Sequence, residues 1–258
     1  VIAHISDLHV DSSPRSAERT RAVMAYLESL DVDLDAVVVT GDMADHGLES
    51  EYTLVRELLR TRHPLLVCPG NHDRRDAFRD VLLGMTTHRS GAPVNQVLRG
   101  DAFTLALCDS SVPGKDEGWL EDETLAWLEG VLDETPEGMP VLVGFHHPPT
   151  ALRMPFVDGI RQFGEDRLAE LAERRPGIVA FLCGHAHTAA ATTFAGRPLL
   201  VAPGVISTSK LPWEPYNHPN DHVYRDEMAP SLAFHLLDQE GRITTHFRSV
   251  PVEARASS

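Results

Sequence analysis

Two histidines at spacing i, i+2 follow an apolar run. Ile178 to Leu182 leads into Cys183-Gly184-His185-Ala186-His187. The run predicts a buried strand, which Gly184 breaks. If the segment stays extended, the spacing sets both imidazoles on one side. Alone, such a pair suits a metal site and a pair of hydrogen-bonded surface histidines equally. Other strand ends decide between them. Asp7 with His9, Asp42, Asn71 with His72, and His146 each sit just past an apolar run. Any one of these groups is ordinary for a loop, but their register on successive strands is not, because α/β sheets gather ligand sites at the carboxyl ends of their strands. Imidazole mixed with carboxylate, without thiolate, suits Zn, Mn, Fe or Co and argues against a structural Cys-type zinc site. The donors are too many for one tetrahedral ion. With one carboxylate shared, they suit two divalent or trivalent metal ions about 3.5–4 Å apart.

The elements that must position these residues can be read in order. Val1–Ser6, Ala36–Thr40 and Leu65–Cys68 predict strands, the second wholly apolar and β-branched until its end, as in a strand buried on both faces. Helices are predicted over Ser16–Leu30, Glu49–Arg60, Arg74–Leu83, Glu121–Leu132 and Glu165–Glu173. Gln96–Leu98 and Phe103–Leu107 predict antiparallel strands around a Gly100-Asp101 turn. Val141–Phe145 runs into His146-His147-Pro148-Pro149. Residues 150–162 are expected as a loop. Thr192–Ala195 and Pro198–Val201 predict a hairpin. Leu232–Leu237 and Ile243–Val250 are expected to complete a second sheet. The alternation predicts an α/β fold: a four-layer α/β/β/α sandwich of two mixed sheets flanked by helices, with the site at the strand C-terminal ends. One domain over 1–258 is expected, with residues 207–229 as a lid or cap loop carrying Trp213, Tyr216, His218, His222 and Tyr224.

Composition narrows the partners. Lys+Arg 23 against Asp+Glu 38 gives a formal charge of −15, which argues against nucleic acid and anionic membranes. No apolar run approaches the roughly 20 residues of a membrane span. The three cysteines, Cys68, Cys108 and Cys183, each end an apolar run and have no CxxC spacing, so they predict small buried hydrophobes in a reducing, cytoplasmic setting. The chain starts at Val1, so a leader removed before it stays an open alternative. A homo-oligomer is equally open.

Asp7-Leu8-His9, Gly41-Asp42, Gly70-Asn71-His72-Asp73, His146-His147-Pro148-Pro149 and Gly184-His185-Ala186-His187, in this order, resemble the calcineurin-like metallophosphoesterases. The similar branch is that of bacterial cyclic-nucleotide phosphodiesterases and glycerophosphodiesterases. The likeness runs from Val1 to about Val205, with a softer one to the glycerophosphodiesterase type over Lys115–Glu129, which holds Gly118-Trp119-Leu120 and Asp122-Glu123-Thr124. The resemblance implies Asp7, His9 and His187 on one metal, Asn71, His146 and His185 on the other, and Asp42 bridging. It makes His72, Asn71 and Asp42 the catalytic set, with His72 off the metals, at the phosphate, where it protonates the leaving oxygen. It implies attack on phosphorus by a metal-held hydroxide. His147 is expected beside the metal and not on it. Asp73 is open between orienting His72 and capping the next helix. His46 stands where the protein-phosphatase branch has an Arg that grips a dianionic phosphate, which favours diesters. His218, in a Pro215-Tyr216-Asn217-His218 string, resembles a substrate contact. His4 and His63 carry no motif and are expected to be structural.

The resemblance implies a phosphodiesterase on small-molecule diesters, 3′,5′-cyclic nucleotides first and glycerophosphodiesters as the alternative. A nuclease is disfavoured by the acidic balance. An inactive metal-binding scaffold would be expected to have lost ligands, and none is missing here.

Overall fold

The computed structural model describes residues 1–85, 87, 89–215, 224–238 and 240–252. Its elements run β1 (Ile2–Ile5), α1 (Pro14–Glu28), β2 (Ala36–Thr40), α2 (Glu49–Leu58), β3 (Leu65–Cys68), α3 (Arg75–Ala77), β4 (Gln96–Arg99) and β5 (Thr104–Leu107). They continue through β6 (Gly118–Trp119), α4 (Asp122–Glu134), β7 (Val141–Gly144), α5 (Pro155–Gly159), β8 (Gln162–Phe163), α6 (Glu165–Arg174) and β9 (Ile178–Cys183). The remaining strands are β10 (Ala190–Phe194), β11 (Arg197–Val201), β12 (Thr208–Ser209), β13 (Tyr224–Arg225), β14 (Ser231–Leu237) and β15 (Ile243–Ser249).

Two mixed sheets result, in the orders β15-β14-β1-β2-β3 and β10-β11-β9-β7-β5-β4. Alternation along each central strand explains the layers. Ala3, Ile5, Val37, Val39 and Val67 pack with Val23, Met24 and Leu27 of α1 and with Tyr52 and Val55 of α2. The intervening residues Ile2, Ala36, Val38 and Leu66 face Leu105, Leu107, Leu142, Ala180 and Leu182 of the other sheet. The far side of that sheet packs Val143 and Phe181 on Leu128 and Val131 of α4 and Leu168 and Leu171 of α6. Helix, sheet, sheet, helix is therefore the order of layers, as expected.

β1, β2 and β3 run parallel, and so do β5, β7, β9 and β11. Their C-terminal ends consequently open on one edge of the sandwich, where every candidate ligand lies.

Some details differ from expectation. The two C-terminal strands do not complete the second sheet. β14 pairs antiparallel with β1 (Ala3 opposite Phe234), so it extends the first sheet. Its buried Leu232 continues the core under α1 and α2. The helix expected over Arg74–Leu83 becomes π-helical over Phe78–Leu82, where Leu83 N–H donates to the Phe78 carbonyl, 3.1 Å. This wider turn draws both Phe78 and Arg79 inward. The loop over 150–162 contains α5 and β8, and β8 pairs in parallel with β6.

Candidate metal centre

The loops after β1, β2 and β9 hold unusual backbone. Asp7, His9, Asp42, His185 and His187 have φ of 56°, 42°, 50°, 68° and 51°. Non-glycine residues adopt this left-handed region at a cost of roughly 1–2 kcal/mol each, and such strain concentrates at functional sites. Hydrogen bonds between the loops hold it. Asp7 N–H donates to the Gly41 carbonyl at 3.1 Å, His9 N–H to Asp42 at 2.9 Å and Val10 N–H to Met43 at 2.8 Å, so the two loops continue the parallel pairing of their strands. The His185 N–H donates to both oxygens of Asp7, at 3.2 and 3.1 Å. The extended conformation expected for His185 and His187 is thus overturned: with both residues left-handed, the two imidazoles go to different groups. Close approach also fixes two glycines. A Cβ on Gly41 would stand 2.4 Å from His146 Nδ1, and one on Gly70 would stand 2.2 Å from Asp42 Oδ1.

Two clusters form. Asp7, His9, Asp42 and His187 bring ligand atoms within 4.8 Å of one another, and so do His146, His147 and His185. In the first, His9 Nε2 lies 3.2 Å from His187 Nε2, which lies 3.5 Å from Asp7 Oδ1. In the second, His146 Nε2 lies 3.2 Å from His185 Nδ1 and 3.2 Å from Asn71 Oδ1. Asp42 Oδ2 faces both, 3.5 Å from His9 Nε2 and 3.3 Å from His146 Nε2.

Partners on the outer side of the rings set their orientation. His146 Nδ1 lies 2.6 Å from the Thr40 carbonyl, which only accepts, so Nδ1 carries the proton and Nε2 points its lone pair into the site. His9 Nδ1 does the same toward the Asp45 carboxylate at 2.8 Å. Ser207 Oγ holds His187 Nδ1 at 2.8 Å. The His146 lone pair, Asn71 Oδ1 and Asp42 Oδ2 therefore converge with no proton among them, which calls for positive charge at that point. Either a proton or a cation supplies it. Burial works against a charged His146, yet the Asp42 and Asp7 carboxylates and the Thr40 carbonyl overcome it and raise the imidazole to about 9. Burial likewise opposes the Asp42 carboxylate, and His146, His9 and His72 outweigh it, holding Asp42 well below the usual range. Burial lifts Asp7 to about 6, and neighbouring Asp42 adds to that. Burial, then repulsion from His146, drops His185 to about 3, and burial, then His9, holds His187 well below its ordinary value. His185 and His187 are thus neutral, and a divalent cation in place of the proton on His146 would meet imidazole lone pairs beside buried carboxylates, the donor set such an ion binds. The residues fit a metal pair.

His72 stands at the rim. Its N–H donates to Asp42 Oδ1 at 2.9 Å, and its Nδ1 is 2.8 Å from the Asp45 carbonyl, which leaves Nε2 outward on a side chain 40% exposed. Its ring meets the His9 ring edge-on, with centroids 4.5 Å apart. Asp73 fills neither expected role. Its carboxylate accepts from Gly70, Met43 and Ala44 N–H groups and from the Tyr52 hydroxyl, tying the β2 and β3 loops together. Asp45 is absent from the residues expected at the site, although its carboxylate orients His9 and its carbonyl orients His72. The Gly41-Asp42-Met43-Ala44-Asp45 spacing is the signal that could have found it. His46 is held by Glu51 at 2.8 Å. Ser110 Oγ holds His147 Nδ1 at 2.8 Å. His4 bonds His235 at 3.0 Å and Thr40 Oγ1 at 2.8 Å inside the first sheet, and His63 accepts from Leu34 N–H at 3.2 Å, so both serve structure. His218, Tyr216 and His222 lie outside the described residues. The Tyr224 ring lies against that of His187, tilted by 39° with centroids 4.7 Å apart. Burial, then the fields of Asp7 and Asp42, lift its phenol to about 12.

The calcineurin-like phosphoesterase family model matches residues 1–189. The chain is 33% identical over 249 residues to the glycerophosphodiester phosphodiesterase GpdQ of Enterobacter lignolyticus, covering 91% of this chain and 86% of that protein. It is 30% identical over 224 residues to a cAMP/cGMP dual specificity phosphodiesterase of Mycobacterium tuberculosis, covering 82% of this chain and 69% of that one. A dimetal phosphatase from Danio rerio shares the fold, with a TM-score of 0.66 at 13% identity and 98% of each chain covered. Among the described residues no helix is long and apolar enough to cross a membrane.

Proposed function

Since the chain belongs to the calcineurin-like phosphoesterase family, we propose that it is a dinuclear metal-dependent phosphodiesterase acting on small diesters. The observation that carries this is Asp42 Oδ2, set between His9 Nε2 at 3.5 Å and His146 Nε2 at 3.3 Å, one carboxylate oxygen facing two donor clusters. Asp7, His9, Asp42 and His187 would hold one ion, and Asp42, Asn71, His146 and His185 the other. Mn, Fe, Zn and Co all suit this imidazole and carboxylate set. When bound, the pair supplies charge to hold a phosphodiester and acidity to a water nucleophile.

The chain's residues do the rest. Asp45 fixes His9 through its carboxylate and His72 through its carbonyl, so both rings are set before substrate arrives. His72 Nε2 faces the opening. Protonated there, it donates a hydrogen bond to the leaving oxygen and gives up its proton as the ester bond breaks. Such proton transfer matters for an alkoxide leaving group and little for a stable anion.

Two substrate classes fit, 3′,5′-cyclic nucleotides and glycerophosphodiesters. The likeness to GpdQ over nearly the whole of both chains supports the second, and the likeness to the dual specificity enzyme supports the first. His218 remains proposed as a substrate contact. The test is turnover of cAMP, cGMP, glycerophosphoethanolamine and a phosphomonoester by protein loaded with defined metals. Hydrolysis of either diester class ahead of the monoester is expected, and monoester hydrolysis alone would overturn the reading.

A further inference from the structure

Four rings stand in a row across the site. His72 and His9 are 4.5 Å apart between centroids, His9 and His187 5.0 Å, and His187 and Tyr224 4.7 Å. His72 and Tyr224 are the two ends, and both are open to solvent, at 40% for the His72 side chain and 38% for Tyr224. In an acyclic diester whose leaving oxygen lies at His72, the other ester group must leave phosphorus in another direction, and the far end of the row offers an aromatic face.

Tyr224 is held there by construction. Its strand pairs Ser209 with Tyr224, and Ser209 N–H donates to the His187 carbonyl at 3.1 Å. Arg19 of α1 clasps the segment from beneath: Nε donates to the Val205 carbonyl at 2.7 Å and Nη2 to the Met228 carbonyl at 2.6 Å. Arg15, one turn earlier on the same face, donates to the Asp226 carbonyl at 2.7 Å. The Arg19 guanidinium is buried with neutral carbonyls as its hydrogen-bond acceptors, an arrangement that costs desolvation energy and in return fixes both ends of the segment bearing Ser207 and Tyr224.

We infer that Tyr224 is the wall of the substrate site that receives the ester group retained on phosphorus, and that Arg19 is the positioning residue that sets it. This rests on the phosphodiesterase reading and adds a determinant of specificity to it. An aromatic wall favours a flat retained group over a small one through contact with its ring face.

The experiment uses diesters with a common nitrophenolate leaving group and different retained groups, methyl p-nitrophenyl phosphate and phenyl p-nitrophenyl phosphate, on Mn(II)-loaded full-length protein. Tyr224→Ala should lower the phenyl-over-methyl preference in kcat/KM about three- to tenfold, the scale of one aromatic contact. Tyr224→Phe should keep that preference within about twofold. Arg19→Met should reproduce the loss, and combining it with Tyr224→Ala should add nothing further. By calorimetry, phenyl phosphate should bind Tyr224→Ala more weakly by the same factor, while inorganic phosphate binds as to the wild type, with metal content unchanged. Equal loss on both diesters, or metal loss in Tyr224→Ala, would reduce Tyr224 to a support for His187 and overturn the inference. A Tyr224→Phe variant as impaired as Tyr224→Ala would overturn the ring contact. If the wild type turns over neither diester, the phosphodiesterase reading fails instead, and the phenyl phosphate measurement still judges Tyr224.

Discussion

Asp42 and His72 come from different loops, are joined by a 2.9 Å hydrogen bond from the His72 backbone N–H to Asp42 Oδ1, and are asked to do opposite things. Asp42 is buried and faces two clusters, while His72 is at the rim with one nitrogen tethered and the other outward. Removing each should therefore fail differently. Asp42→Ala should lose most activity and lower metal content at both positions, read by elemental analysis after dialysis; full double occupancy would refute the shared role. His72→Ala should keep its metals and slow turnover of an alkyl diester by roughly 10²–10⁴. A nitrophenyl diester should be much less affected, and an equal loss on both would remove the general-acid role. In the sequence both lie in the loops that follow apolar strands, Asp42 two residues past β2 and His72 four past β3, and their expected roles come from the family resemblance. The sequence hides Asp45, whose effect on His72 runs through a main-chain carbonyl that any residue could supply. It also misplaces Asp73, whose four hydrogen bonds to neighbouring loops leave no trace in local spacing.

At the scale of elements, the strand-to-loop junctions do the positioning. β-branched runs such as Ala36–Thr40 announce buried strands, and their ends announce where ligands collect. The loop conformation beyond each strand end is harder to read. Left-handed backbone at His185 and His187 depends on partners 178 residues away in sequence, such as Asp7 accepting the His185 N–H. Local spacing alone favours an extended segment there, and the folded chain does not adopt it. Gly41 shows how tight a junction is, with φ of 89° and no room for a Cβ beside His146. Gly41→Ala should push His146 off its place and destabilise the fold by about 2 kcal/mol. It should selectively deplete the ion shared by His146, Asn71 and His185, leaving close to one metal per chain. Two metals retained at wild-type affinity would count against this account of the junction.

Across the whole molecule, the two sheets meet through an apolar layer, and the first sheet carries a buried polar chain. Thr245, His235, His4 and Thr40 are linked in succession at 2.8, 3.0 and 2.8 Å. That link exists because β14 lies beside β1, a long-range pairing that local patterns could not assign to one sheet or the other. Burial pushes His235 down to about 3. The folded protein thus leaves His235 neutral where the unfolded chain, near 6.5, binds a proton. His235 therefore contributes stability that is complete above about pH 6.5 and is lost as pH falls toward 3, at about 1.4 kcal/mol per unit. Between pH 7.5 and 4.5 the wild type should lose roughly 3 kcal/mol more than His235→Gln in urea unfolding. Equal losses would show that His235 is not held neutral.

Two ions that share the Asp42 carboxylate should couple magnetically, and electron paramagnetic resonance of the protein titrated with Mn(II) reads that coupling. Binding of two Mn(II) per chain is expected, with an exchange-coupled spectrum that collapses to uncoupled Mn(II) in Asp42→Ala. One ion per chain, or two that remain magnetically independent in the wild type, would contradict the shared carboxylate.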